Sequence, residues 1–193
     1  MNTITAKKRD FTVKAKQLRR AGIVPGNLLG GSLKEPVAIQ LDMAEASSLV
    51  RKKREGSKLT LEVEGKKYSV QLKEKKINTL NGEVQHLEFQ ALAEGQKVNS
   101  LIHILLENAD KVTDSLEKMT MEIPYASLPE DMIDTITIDV DGMEVGTIVT
   151  VGDIPELKKE EIELQIGEDE IVFRLSDRKH APAVEEEPAE EQE

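Results

Sequence analysis

The sequence predicts a mainly β protein with short helices (α+β): an N-terminal β-barrel flanked by helices, a second β-rich domain and a disordered acidic tail. Three observations carry this expectation. About ninety N-terminal residues hold six short strands and two helical segments, which suits a small, mostly antiparallel barrel. Apolar residues alternate at period two through much of the remainder. From Ala181 to Glu193 the chain is nearly all Glu, Ala and Pro, a composition that cannot bury a core.

The elements follow in order. Ile4 and Ala6 share one side of a first strand over residues 3–9, opposite Thr5, Lys7 and Arg9. Over 14–21, Ala15, Leu18 and Ala21 recur at helical spacing, with Gly22 at the C′ position and Pro25 soon after to stop the helix. Gly30-Gly31 breaks the chain, and 37–41 forms a short strand. Asp42 with Glu45 three residues later predicts an N-cap. The helix it opens places Ala46, Leu49 and Val50 together and ends in Arg51-Lys52-Lys53-Arg54, cations that complement its dipole. Leu59, Leu61 and Val63 alternate with polar partners, as do Tyr68, Val70 and Leu72 after Gly65, which predicts a hairpin. A strand over 83–91 has Leu87, Phe89 and Ala91 inward, with Val84, His86, Glu88 and Gln90 on its other face.

Composition shifts near Ala93-Glu94-Gly95, the expected boundary, so the division reads 1–93, 94–178 and 179–193. In the second domain strands are expected over 98–106, around Met119-Met121-Ile123 and over 136–140. Ile162-Leu164-Ile166 and Ile171-Phe173-Leu175 read as a further hairpin around Gly167.

Charge divides along the same line. The chain totals −11, yet residues 1–93 hold 18 Lys and Arg against 10 Asp and Glu, a net of +8, and residues 94–193 hold 8 against 27, a net of −19. Such asymmetry fits a polyanion-binding module joined to an acidic one. With no Cys, disulfides, thiolate metal sites and cysteine nucleophiles are excluded. Three scattered His, no phosphate loop and no serine elbow leave little for an enzyme, so no cofactor, metal or small-molecule substrate is expected. No apolar run is long enough to span a membrane and no apolar leader follows Met1, so a soluble, cytoplasmic protein is expected.

Arg9, Lys14, Lys16, Arg19 and Arg20 are the leading site candidates. Cations on one isolated helix read as a solvated face. The adjoining basic strand, and the lack of acids between Phe11 and Leu33, turn the reading towards phosphate contact. His86 and Glu88, two apart, share a strand face. By spacing alone they are an ordinary surface pair, although on an exposed face this donor and acceptor suit base edges. Arg51 to Arg54 read as a helix end rather than a phosphate patch. Asp139, Asp141 and Gly142 read as a turn, because their spacing does not fit a calcium loop.

The run Leu18 to Pro25, the Gly30-Gly31 pair, Glu35 to Ile39 and Gly82 to Phe89 together resemble the bacterial large-subunit ribosomal protein family that binds 5S rRNA. The stretches 128–131, 136–140, 142–146 and 151–154 resemble the second domain of its two-domain form, known also as general stress protein Ctc. The resemblance covers residues 3 to about 175. It implies a six-stranded barrel bound to an internal loop of 5S rRNA through a widened minor groove, with large-subunit proteins or rRNA as further partners. Arg9, Lys14 and Arg19 match the family's backbone-binding cations, and His86 and Glu88 its His-x-acid pair. Four departures stand out: Leu29 replaces a tyrosine, Ile77 an arginine, Lys16-Gln17 consecutive arginines, and Val13-Lys14-Ala15 a Gly-Lys-Gly run. Losing a ring and guanidinium forks weakens stacking and bidentate contact. The alternative is a stress-associated protein-interaction factor with vestigial RNA binding.

Overall fold

The structure is a computed structural model that describes residues 3–31, 33, 35–112, 115–159 and 161–176. The acidic tail expected from residue 179 lies outside the described residues.

Six strands close a barrel in the spatial order β1 (Thr3–Lys8), β3 (Val37–Asp42), β2 (Ile23–Leu29), β6 (Val84–Ala91), β5 (Lys66–Ile77), β4 (Lys58–Val63). Four seams are antiparallel, as expected. The other two are parallel, β1 with β4 and β2 with β6. Alternation predicts which face of a strand is buried but not the direction of its neighbour, so the parallel seams leave no mark in the sequence. Ile4, Val24, Leu28, Ile39, Leu61, Leu72, Leu87 and Phe89 fill the interior.

β2 is the one of the six expected strands to which sequence patterning assigns no range. Pro25, Gly26 and the Gly30-Gly31 pair read as chain breakers, yet Ile23–Leu29 pairs on both sides. Pro25 stands one residue before the seam with β6 opens at Gly26↔Leu87, the kind of position where a missing N–H is tolerated. Gly26 is required for a different reason. A Cβ there would lie 2.7 Å from the Leu87 carbonyl oxygen, so this seam admits only a bare Cα.

Two helices flank the barrel. In α1 (Ala15–Arg20) only Leu18 is buried, so Ala21 does not join the expected apolar face. Gly22 takes φ +76, the left-handed C′ conformation its position predicts. In α2 (Met43–Lys52) the Asp42 carboxylate accepts from the Ala44 N–H at 2.8 Å, and Ala46 and Leu49 are buried. The hairpin of β4 and β5 has the expected facing, with Leu59 opposite Val70 and Leu61 opposite Tyr68.

β5 runs on past the expected end to Ile77, with register shifts at Leu72/Glu74 and Lys76/Ile77. The second shift corrects the reading of Val84. It was expected on the His86 side, but the bulge at Gln85 reverses the phase and Val84 is buried.

Beyond residue 97 a second hydrophobic cluster forms around Ile102, Ile123, Tyr125, Val172 and Phe173. It lies between two small sheets. One has the order β10 (Thr135–Asp139), β7 (Val98–Glu107), β9 (Glu122–Ser127), β12 (Glu163–Leu164), and the other β11 (Ile148–Thr150), β13 (Ile171–Ser176), β8 (Ser115–Lys118). The hairpin expected around Gly167 is overturned: β12 pairs with β9, whereas β13 pairs with β11 and β8. Both segments send apolar side chains into one cluster although they are not partners, and in β13 the adjacent Val172 and Phe173 are both buried, so strict alternation does not hold there. The strand expected through Met119 is interrupted too, since β8 ends at Lys118, β9 begins at Glu122 and Met119 is exposed.

A polar seam joins the clusters. Gln71, buried on β5, donates to the Asn99 carbonyl at 3.0 Å, and Ser100 Oγ donates to the Gly56 carbonyl at 3.2 Å. His103 Nε2 lies 2.8 Å from the Glu55 carbonyl, so one of the scattered histidines is a buried structural contact. Lys53 pairs with Asp134 at 3.3 Å, which places one cation of the Arg51–Arg54 run in this seam.

Candidate nucleic-acid interface

The outer face of β1, β3, β2, β6 and β5 gathers residues distant in sequence. Strand register defines two rows across it. One passes from Lys7 through Gln40 and Pro25 to His86 and Lys76. In the next, the Arg9 N–H donates to the Ala38 carbonyl at 3.0 Å, and the row continues through Asn27 and Glu88 to Glu74. Arg9, His86 and Glu88 therefore belong to one surface, joined across strands spaced about 4.8 Å apart.

α1 packs against β2, and its Arg19 Nη1 approaches the Gln85 carbonyl at 3.5 Å, beside the start of β6. This places the helix at the His86 end of the face. Lys14, Lys16 and Arg20 are exposed, and among the described residues none of Lys14, Lys16, Arg19 or Arg20 has an acidic partner. Arg19 is the candidate cation that bridges helix and sheet; the other three project from the helix segment into water.

The centre of the face carries both signs. Glu74 and Glu88 stand directly opposite each other, an arrangement that repels, and Lys76 pairs with Glu74 at 3.3 Å. Burial draws the His86 imidazole below its ordinary pKa. The Glu88 carboxylate opposes that shift, Lys76 reinforces it, and Glu74 and a hydrogen bond to the Pro25 carbonyl oppose it again. His86 is consequently neutral at pH 7, with one donor and one acceptor nitrogen. A neutral imidazole between carboxylates and ammonium groups can meet base edges and sugar hydroxyls, while the surrounding cations meet phosphate.

Three members of this surface were not singled out from the sequence. Lys76 lies beyond the end of the expected hairpin strand. Asn27 lies on the unrecognised β2. Phe11 follows Arg9 without any periodic pattern, and it is 78% exposed with the Arg9 guanidinium 5.7 Å from its ring centroid. The Asp139 turn accepts from Asn108 Nδ2 at 2.7 Å and from the Asp141 N–H at 3.0 Å. Among the described residues no cluster of His, Asp and Glu could hold a metal ion, and no helix is long and apolar enough to cross a membrane.

Comparison with known proteins identifies the family. Residues 4–89 match the model of the Ribosomal L25p family, and residues 97–179 match that of the Ribosomal protein TL5, C-terminal domain. The large ribosomal subunit protein bL25 of Carboxydothermus hydrogenoformans is 34% identical over 160 residues, which cover 80% of this chain and 79% of that protein. The bL25 protein of Listeria monocytogenes is 28% identical over 191 residues, 96% of this chain and 89% of the relative. General stress protein Ctc of Bacillus subtilis is 30% identical over 165 residues, 80% and 78% of the two chains. A chain with a closed barrel followed by a second β unit, matched in that order by both family models, belongs to the bL25 family of large ribosomal subunit proteins, structural components rather than enzymes.

Proposed function

We propose that this chain is a ribosome-associated, cytoplasmic protein whose basic domain, residues 1–93, binds 5S rRNA. The observation that carries the reading is the shared outer face of β1, β3, β2, β6 and β5, with Arg9, His86, Glu88 and Lys76 in adjoining rows and α1 at its edge. Arg9, Lys14, Lys16, Arg19 and Arg20 hold the phosphate backbone and set register. His86 and Glu88 contact base edges or sugars. The acidic domain, residues 94–178, turns away from phosphate and meets neighbouring proteins or rRNA of the large subunit.

Mobility shifts with 5S rRNA over a series of salt concentrations test this. Affinity is expected to fall with a log–log slope of about −0.7 to −0.9 per phosphate neutralised, and Arg19→Ala and His86→Ala are each expected to weaken binding. Salt-insensitive binding, or undiminished affinity in both variants, overturns the site.

Leu29 and Ile77 on the barrel, and the similarity to a relative named as a general stress protein, favour a second reading: a factor that acts through protein partners. Sedimentation with 50S subunits at moderate salt separates the two, because a protein-partner factor stays in the supernatant.

A further inference from the structure

The chain spends its few aromatics as core mass, with one departure. It has three Phe, two Tyr and no Trp. Phe89, Phe173 and Tyr125 are fully buried, and Tyr68 packs partly buried against the barrel core. Phe11 alone stands in water, at 78% exposure.

Its surroundings are ordered and cationic. Asp10 Oδ1 accepts from the Thr12 N–H at 2.8 Å and from Thr12 Oγ1 at 2.7 Å, which fixes the turn that presents the ring. Arg9 lies over the ring at 5.7 Å and belongs to the row that leads to Asn27 and Glu88. Lys14 and Lys16 follow within the next turns of chain, and after Asp10 no acid occurs before Glu35. An apolar patch for a protein partner would recruit further aliphatic neighbours. A single ring among cations is instead the chemistry of a nucleobase stack, in which the ring takes the π face and cations take the adjoining phosphates.

We infer that Phe11, held by Arg9 and the Asp10–Thr12 turn, is a stacking site for one unpaired nucleobase at the edge of the RNA-binding face. The inference rests on the RNA-binding reading above and adds a contact to it. Bases splayed from an internal loop or bulge present the open π face such a ring needs, whereas bases within a continuous duplex do not.

The test uses the full chain with 5S rRNA and, as a control, a fully paired RNA duplex of similar length. Phe11→Leu keeps apolar bulk and removes the π face; because residue 11 is exposed, the fold is unaffected. Affinity for 5S rRNA is expected to fall about five- to hundredfold, with the salt slope unchanged because no phosphate contact is lost. Phe11→Tyr is expected to keep wild-type affinity. Phe11→Trp introduces the only indole in the chain, whose fluorescence is expected to quench on adding 5S rRNA and to remain unchanged with the duplex.

Equal affinity of Phe11→Leu and the unsubstituted chain for 5S rRNA overturns the stacking site and leaves the RNA-binding reading intact. Loss of 50S association by Phe11→Leu with undiminished 5S rRNA affinity assigns the ring to a protein neighbour and likewise overturns it. Failure of the unsubstituted chain to bind 5S rRNA overturns both readings.

Discussion

Three cations of the second β unit are tied to its own carboxylates, whereas those of α1 have no acidic partner among the described residues. In the second unit Lys97 pairs with Glu163 at 2.8 Å, Lys111 with Asp141 at 3.0 Å and Arg174 with Glu117 at 2.6 Å. Each tie links segments of the unit to one another, and Arg174 and Lys97 hold Glu117 and Glu163 below the usual carboxylate range. Glu117 also accepts from Ser176 Oγ at 3.0 Å, so this pair is part of the β8–β13 contact. In the barrel, Lys8 and Lys76 have acidic partners, but the α1 cations have none among the described residues. A cation already satisfied within the fold offers little to a ligand. One left without a counter-ion beside a sheet face is available to phosphate. Where the positive charges are left over therefore says more about function than how many there are.

The largest expected effects come from the two cores. Phe89 in the barrel and Phe173 in the second cluster are both fully buried. Phe89→Ala and Phe173→Ala are each expected to cost about 3–5 kcal/mol, measured by urea unfolding. If the barrel alone presents the RNA-binding face, Phe89→Ala abolishes RNA binding at denaturant concentrations where Phe173→Ala still binds. Equal loss in both variants would show that the seam through Gln71, Ser100 and His103 couples the two units into one cooperative fold.

A milder substitution sharpens the contrast between cations. Arg19→Ala is expected to lower 5S rRNA affinity roughly tenfold and to make the salt slope shallower by about one phosphate. Arg174→Ala is expected to leave affinity and slope alone while costing at most about 1 kcal/mol of stability, as exposed ion pairs do. RNA affinity equally reduced by both would end the distinction.

The smallest effect is protonic. Burial holds the folded His86 pKa below the ordinary imidazole value of 6.5, so the neutral form is favoured by folding. As pH falls through 6.5 towards the folded pKa, the unfolded chain takes up the proton first, and the His86 contribution to stability is lost with acidification. RNA is expected to act oppositely, because the negative potential of the phosphates held by the neighbouring cations raises the imidazole pKa above that of the free chain. Binding then takes up a proton, and affinity rises as pH falls between the free and bound values. His86→Gln is expected to remove this pH dependence, read as parallel binding curves at pH 5.5 and 7.5; persistence of the dependence in the variant places the titrating group elsewhere.

Much of this surface is legible in the sequence, and the misses have physical causes. The Leu59 to Leu72 hairpin, the Asp42 cap and the Gly22 stop are local, so residues a few positions apart suffice to define them. β2 was hidden because Pro25 and Gly26 break strands in most settings; only the approach of the Leu87 carbonyl explains why glycine is wanted there. The second unit was the harder half. Its β7–β10 seam is parallel, and β12 and β13 leave a common turn for different sheets, choices set by tertiary packing and not by alternation. At the site, charge gives Arg9 and Arg19, and period two puts His86 and Glu88 on one face, but only the family resemblance turns that pair towards RNA. Asn27, Lys76 and Phe11 join them only once register is known.

The parallel seam of β2 with β6 also sets when the surface can exist. Gly26 meets Leu87 only after nearly the whole barrel has left the ribosome that makes it, since β6 is the last barrel strand in chain order. Until then Arg9 and the α1 cations are present without His86 and Glu88 beside them. A nascent or truncated chain thus carries the charge to adhere loosely to any RNA but lacks the face that could select one. On the proposed RNA-binding function, closure of the barrel is the step that would turn a generic polycation into a discriminating one, and a chain that has not finished folding would be poorly placed to compete for a position in a particle under assembly.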